Sequence, residues 1–109
     1  MGTNFPKTPL HVRARHWAER MRARPAVIRV QAMKNKWGSC SRRGVVTLAV
    51  DLARQPETVQ DAVIVHELLH LRIRNHGRVF KALMSAYVPG WRLLRVAECR
   101  FDHGRSGNT

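Results

Sequence analysis

The stretch that decides the fold is VIVHELLHLRIRNHG, at residues 63–77. Its apolar side chains cover most of a helical circumference, which predicts a buried central helix over about residues 59–74. His66 and His70 are four residues apart, so on a helix they differ by about 40° around the axis and project to the same side. Glu67 lies about 100° round from His66, next to both histidines but aimed differently. The pattern is H-E-x-x-H, in which two imidazoles can reach one metal ion.

His76 is the candidate for a third metal ligand. On a straight helix it would lie about 15 Å beyond His66 along the axis, too far away to reach the same ion. Asn75 and Gly77 tolerate left-handed backbone conformations, so we expect the helix to end here and the chain to turn back. Other candidates for the third position lie on the last predicted helix: Glu98, Asp102 and His103.

The predicted metal is one zinc ion per chain, held by His66, His70 and His76. Catalytic zinc sites use three protein ligands and keep the fourth position for water, whose pKa falls towards about 7. Glu67 is the predicted general base that takes a proton from this water. Nitrogen ligands would also suit Ni²⁺, Co²⁺ or Cu²⁺. Supporting roles have further candidates: Tyr87 as an oxyanion donor, Asp51 or Asp61 as the partner of a ligand histidine, and Cys40 as an inhibitory fourth ligand.

The rest of the chain predicts one α+β domain over residues 8–103, with flexible segments at 1–7 and 104–109. A first helix begins near Pro9 and is closed by Pro25. Alternating residues 28–33 and the apolar run 45–50 predict two strands, paired as an antiparallel hairpin with a long turn-rich loop. Further helices are expected over about 78–88 and 91–103. The small sheet should pack on the helix that carries the H-E-x-x-H pattern.

Length and composition narrow the function classes. The 109 residues suffice for one domain. No apolar stretch is long enough to span a membrane, and the first ten residues lack the apolar core of a signal peptide, so we expect a cytoplasmic protein. The net charge of +13 favours contact with nucleic acid or another polyanion, although the basic residues are spread along the chain. Cys40 and Cys99 are expected to be free thiols.

Several separated motifs resemble the YgjP-like metallopeptidase-domain family, which is related to the WLM and SprT-like zinc proteases. They are residues 33–41 (MKNKWGSCS), residues 65–71 (VHELLHL), the NHG of residues 75–77 with Phe80, and Pro89. The resemblance covers about residues 10–94. It implies a compact zincin-like core, zinc bound by His66, His70 and His76, and a catalytic Glu67. Leu69 departs from the family, which often has Cys at this place.

The segment Trp37-Gly38-Ser39-Cys40 has two interpretations. In the first it is structural: Trp37 packs on the central helix and Gly38 permits a turn. In the second it borders the cleft, because an edge strand beside the active-site helix of a zincin can pair with an extended peptide substrate. The structural interpretation is the leading one.

Three functions are compatible with the sequence. A zinc metallopeptidase acting on a peptide or protein substrate is the leading hypothesis. A metal-dependent nucleotide pyrophosphatase is the first alternative, although phosphate chemistry more often uses Mg²⁺ with carboxylates and the chain has no Gly-rich phosphate loop. The second alternative is a non-catalytic nucleic-acid-binding module with a structural zinc, which would need Cys40 or Cys99 to close the coordination sphere.

Overall fold

The computed structural model describes residues 8–94. They form an α+β arrangement, as predicted, with three α-helices and a three-stranded sheet. In chain order the elements are α1 (Leu10–Met21), β1 (Val27–Gln31), β2 (Gly38–Cys40), β3 (Val45–Ala49), a 3₁₀ turn (Val50–Arg54), α2 (Glu57–Leu69), α3 (Arg78–Tyr87) and a second 3₁₀ turn (Trp91–Leu93). The predicted flexible ends, most of the last predicted helix and Cys99 lie outside the described residues.

The sheet is mixed, with strand order β1-β3-β2. β1 runs parallel to β3, from Val27 opposite Val45 onwards, and β2 runs antiparallel to β3. The predicted antiparallel hairpin between β1 and β3 is therefore wrong. The true hairpin joins β2 to β3 through a tight turn that ends at Gly44, whose φ of +90° favours glycine. The sequence did not predict β2, because this strand has only three residues and the sequence Gly-Ser-Cys has little strand propensity.

Helix α1 packs on α2 through a polar contact, which we call the α1–α2 clamp: Arg13, Trp17 and Asp61. Asp61 Oδ1 accepts from Arg13 Nε at 2.7 Å and from Trp17 Nε1 at 2.8 Å, while Oδ2 accepts from an Arg13 terminal nitrogen at 3.3 Å. α1 ends at Met21, and Arg22 in the left-handed conformation (φ 56°) ends it before Pro25 is reached. The clamp holds the first half of α2 against α1.

Helix α2 is the centre of the core, as its apolar sequence predicts. Ten of its thirteen residues are buried, among them His66 and Glu67. Burying each large aliphatic side chain on this helix contributes about 1.5–3 kcal/mol. The α-helix ends at Leu69, and Ile73 N–H bonds back to the Leu69 carbonyl at 2.8 Å. The end comes about five residues earlier than predicted, which starts the return of the chain sooner.

The described helices are all short. None of those within residues 8–94 is long and apolar enough to cross a membrane. The prediction of a cytoplasmic protein goes further than this and stays a prediction.

Candidate metal centre

The three predicted ligand histidines lie together at the end of α2. The closest ring nitrogens that His66, His70 and His76 can offer all lie within 4.8 Å of one another. The three ring centroids are 4.7–4.9 Å apart. His70 Nε2 and His76 Nε2 are separated by 2.9 Å. Spacing of four on a helix and one return of the chain thus produce a single imidazole cluster.

The return of the chain differs from the expected turn. Neither Asn75 nor Gly77 has a positive φ, since among the described residues only Arg22, Gly44 and Gly90 do. Instead, Asn75 Oδ1 accepts from Gly77 N–H at 3.0 Å, which closes an Asx turn around His76. The early end of α2 supplies the remaining change of direction. The predicted break is confirmed, and the predicted left-handed backbone at these two residues is wrong.

Phe80 of α3 forms the apolar wall of the cluster. It is almost fully buried, and its ring centroid lies 4.8–5.2 Å from those of all three histidines. α3 begins at Arg78, directly after the Asx turn, so Phe80 is carried to the rings by the first turn of this helix. Packing on Phe80 restricts the rotation of the three imidazoles, which prepares them for one binding geometry.

His70 is fixed in one tautomer. Its Nδ1 donates to the Ile73 carbonyl at 2.8 Å, and because a carbonyl only accepts, this nitrogen carries the proton. Burial, with a further contribution from the charge of His66, lowers the pKa of His70 and favours the neutral ring. The neutral ring then presents the Nε2 lone pair to the cluster, which is the form that a metal requires.

The partner of His70 is thus a backbone carbonyl and neither of the two predicted aspartates. Asp61 belongs to the α1–α2 clamp, and Asp51 is exposed on the 3₁₀ turn after β3. A backbone carbonyl has no signature in the sequence, so this orienting contact was not predictable from residue types. Tyr87, the candidate oxyanion donor, packs edge-on against Trp17 at 6.1 Å between ring centroids.

Glu67 is fully buried beside the histidines. Its Oε2 accepts from His66 Nδ1 at 3.0 Å, whereas its Oε1 has no hydrogen-bond partner among residues 8–94. A buried carboxylate oxygen left without a donor costs about 1–3 kcal/mol. The unsatisfied oxygen next to three imidazoles marks a place where a proton donor such as water would be bound.

Strand β2 forms the other wall around Glu67. A Cβ placed on Gly38 would lie 3.0 Å from Glu67 Cγ and 3.1 Å from the Thr47 carbonyl oxygen, so only glycine lets the strand approach this closely. Trp37 is buried, with 3% of its surface exposed. This burial agrees with a structural role for Trp37, whereas Gly38 serves a close approach to the helix and makes no turn.

Cys40 lies next to the cluster without belonging to it. The group of possible ligands found among the described residues contains the three histidines and no cysteine. Burial, and then the charge of Glu67, raise the pKa of the Cys40 thiol, which keeps it protonated and a poor ligand. Arg74 spans the same region, donating to the His70 carbonyl and to the Cys40 carbonyl, each at 2.9 Å.

The cluster suits a divalent metal. Imidazole nitrogens that bind zinc lie 2.0–2.1 Å from it, so in a tetrahedral site they are about 3.3 Å apart. The observed nitrogens are 2.9 Å apart for His70 and His76 and within 4.8 Å for all three histidines, on both sides of this spacing. Side-chain rotations would bring all three onto one ion. His66 uses Nδ1 for Glu67, and His70, with Nδ1 given to Ile73, presents Nε2 to the cluster.

A mixed α+β core with three histidines and a buried glutamate at one helix end is the arrangement of a metallopeptidase. The chain belongs to the YgjP-like metallopeptidase-domain family, whose model matches residues 6–96. This confirms the resemblance seen in the sequence. A search of the curated proteins gave no match.

Two solved structures share the fold. The metallopeptidase zymogen of Pyrococcus abyssi abylysin superimposes with a TM-score of 0.67 at 18% identity, over 85% of this chain and 99% of that one. The metallopeptidase zymogen of Methanocaldococcus jannaschii jannalysin superimposes with a TM-score of 0.64 at 23% identity, over 74% of this chain and 83% of that one. At these identities the likeness shows the zincin-like fold alone.

Proposed function

We propose that this protein is a zinc-dependent peptidase in which His66, His70 and His76 hold the metal and Glu67 is the general base. The observation that carries the proposal is the buried Oε1 of Glu67, which no described residue satisfies, beside three imidazoles whose nitrogens lie within 4.8 Å of one another. The metallopeptidase family and fold support the same reaction class.

The two oxygens of Glu67 have separate tasks in this proposal. When bound, zinc would supply Lewis acidity, polarising the substrate carbonyl and making water a stronger acid. Oε2 is anchored by His66 Nδ1 and fixes the carboxylate. Oε1, which no described residue satisfies, accepts the proton of the attacking water and later gives it to the leaving amine. Because the side chain is fully buried, little bulk water competes for this oxygen.

The outer edge of β2 bears on an extended peptide as the substrate. Trp37 C=O accepts from Ala49 N–H, and Ser41 N–H donates to Val45 C=O, so alternate residues along this strand pair with β3. The backbone groups of Gly38 and Cys40 therefore point to the other side, where no described strand follows, and both residues are buried. A peptide adds there as a further strand, close to Glu67, only once the groups that cover this edge have moved aside.

The two alternatives receive less support from the site. The group of possible metal ligands among residues 8–94 is all imidazole, while nucleotide pyrophosphate chemistry more often uses carboxylate-bound Mg²⁺. A structural zinc would need a fourth protein ligand, and the buried, protonated Cys40 thiol is poorly suited to it.

A nucleic-acid partner stays a separate proposal. The exposed surface of α1 and of the residues just after it carries Arg15, Arg20, Arg22 and Arg24 against one acid, Glu19. A face of this charge would bind a polyanion with a strong dependence on salt. The affinity for a labelled duplex, measured by fluorescence anisotropy at about 50 and about 200 mM salt, tests this. The same affinity at both salt concentrations would contradict it.

The test of the peptidase proposal combines metal content with turnover. We expect about one zinc per wild-type chain by elemental mass spectrometry, sharply less in His76→Ala, and no loss in the control His16→Ala on α1. On a quenched-fluorescence peptide library, Glu67→Gln should lose at least about 100-fold in rate while keeping its zinc. Glu19→Gln, an exposed change on α1, should keep the wild-type rate. Full activity of Glu67→Gln would sink the assigned role.

A further inference from the structure

Arg74 lies across the end of β2 at Cys40, beside the histidine cluster. We infer that Arg74 forms a subsite for an acidic group of the substrate. The inference rests on the proposed peptidase function, since it concerns how a peptide would lie beside the histidines. It assigns a binding role to a side chain that the metal site does not use.

The position of Arg74 follows from three contacts. One terminal nitrogen donates to the His70 carbonyl at 2.9 Å and approaches Cys40 Sγ at 3.8 Å. The other terminal nitrogen donates to the Cys40 carbonyl at 2.9 Å. The guanidinium thus bridges the end of α2, where His70 stands, and the last residue of β2.

The carbonyl that Arg74 occupies is one of the few outward groups of β2. Because Trp37 and Ser41 pair with β3, the outward groups of the strand are those of Gly38 and Cys40. Both of these residues are buried, whereas Arg74 is exposed. The guanidinium is therefore the group that a substrate meets at this end of the strand, a cation in place of a hydrogen-bond acceptor.

The guanidinium has capacity left for a ligand. It carries five N–H donors, and the contacts above leave its Nε–H and one terminal N–H without a partner among residues 8–94. No carboxylate within those residues forms an ion pair with it, and the side chain is exposed. A planar guanidinium with two donors available prefers a carboxylate, which it can bind through two hydrogen bonds.

The same placement selects against basic substrates. A lysine or arginine of the peptide at this end of β2 would stand against Arg74, with the cationic Arg72 and Arg78 close by in the chain. The expected substrate is therefore an extended peptide with Asp or Glu at the residue that passes the Cys40 end of the strand.

The experiment uses the zinc-loaded full chain and peptides that differ only by Glu, Gln or Lys at each position in turn. Cleavage rates are measured for wild type, for Arg74→Gln, and for the control Arg72→Gln. Arg72 is the matched control because it is an exposed arginine of the same turn that donates to the Arg22 carbonyl at 3.4 Å, at the end of α1. Binding of the same peptides to the Glu67→Gln protein, with and without Arg74→Gln, is followed by fluorescence anisotropy.

We expect wild type to prefer Glu over Gln by about tenfold at one position, and Lys to be the poorest there. Arg74→Gln should reduce the Glu preference to less than about twofold, whereas Arg72→Gln keeps it. Arg74→Lys, which retains the charge but cannot reach both carbonyls with one fork, should keep a preference of intermediate size. The anisotropy measurement should show the same order of affinities without any turnover.

The outcomes separate the two proposals. Cleavage with a charge preference that Arg74→Gln leaves unchanged overturns the subsite and leaves the peptidase standing. Binding that depends on Arg74, without cleavage by any form, sinks the peptidase and keeps the subsite. If the peptides are neither cleaved nor bound, both proposals are overturned. If Arg74→Gln has a lower melting temperature than Arg72→Gln, the Arg74→Lys protein decides: loss of the Glu preference in a folded Arg74→Lys also overturns the subsite.

Discussion

Two carboxylates six residues apart on α2 have opposite surroundings. Asp61 gives both oxygens to donors of α1, from Arg13 and Trp17. Glu67 is more deeply buried, yet one of its oxygens has no donor among the described residues. A fully satisfied acid stabilises the place where it stands, while a buried acid left half satisfied costs free energy and is ready to bind something. The first half of α2 is therefore built for stability and its end for chemistry.

The largest expected effect on stability comes from removing the satisfied acid. Asp61→Ala leaves the partly buried Arg13 guanidinium with only the exposed Glu57, at 3.4 Å, and leaves the Trp17 indole N–H without its acceptor. It should lower the free energy of unfolding by about 2–3 kcal/mol. Urea unfolding followed by circular dichroism measures it, and zinc content should not change. Asp51→Ala, an exposed acid on the 3₁₀ turn, should cost less than about 0.5 kcal/mol. If Asp61→Ala and Asp51→Ala lower the free energy of unfolding equally, Asp61 has no special role in stability.

A larger side chain at Gly38, where β2 contacts Glu67, should also lower stability. In Gly38→Ala the new methyl group meets Glu67 Cγ and the Thr47 carbonyl, so β2 must move away from α2. Overpacking of this kind costs about 1–3 kcal/mol, and we expect peptidase activity to fall with it. In the control Ser39→Ala, on the same strand, no atom is added, so the strand keeps its distance from α2. A Gly38→Ala protein as stable as Ser39→Ala would contradict the close approach.

A third prediction concerns pH and the metal-free protein. Burial lowers the pKa of His70 from its ordinary 6.5, so below that pH the unfolded chain binds a proton that the folded chain resists. Stability should therefore fall as pH drops through about 6.5 towards the lower folded value, by up to about 1.4 kcal/mol per pH unit. Denaturant midpoints of chelator-treated protein between pH 5.5 and 8 measure the slope. His70→Asn should flatten it, and His16→Asn should not.

The smallest expected effect on stability is at the half-satisfied acid. Glu67→Gln removes a buried charge, so its free energy of unfolding should stay within about 0.5 kcal/mol of wild type or rise. The metal-free forms are compared by urea unfolding, since bound zinc would mask the difference. A loss as large as that of Asp61→Ala would show that Glu67 supports the fold and would break the contrast between the two acids.

The sequence anticipated the histidine cluster better than the sheet. Helical spacing of four places His66 and His70 on one side. The end of α2 at Leu69, together with the Asx turn at Asn75, then brings His76 back. The parallel partner of β1 depends on packing between distant segments, and β2 is too short to show a pattern. The group that accepts the Nδ1 proton of His70 is a backbone carbonyl, which any residue could supply. Gly38 did carry a signal, since a glycine inside a strand often marks a close approach.

The order of the elements has a consequence for synthesis of the chain. All three strands end by residue 49, so the ribosome releases the whole sheet before it releases any of the three clustered histidines. His66 and His70 follow on one helix, and His76 emerges last. Since a domain generally folds as a unit and α2 is the centre of this core, the proposed three-histidine capture of metal is confined to chains that have grown past residue 76. A nascent chain would release its strands, and then its central helix, before it could hold a reactive ion.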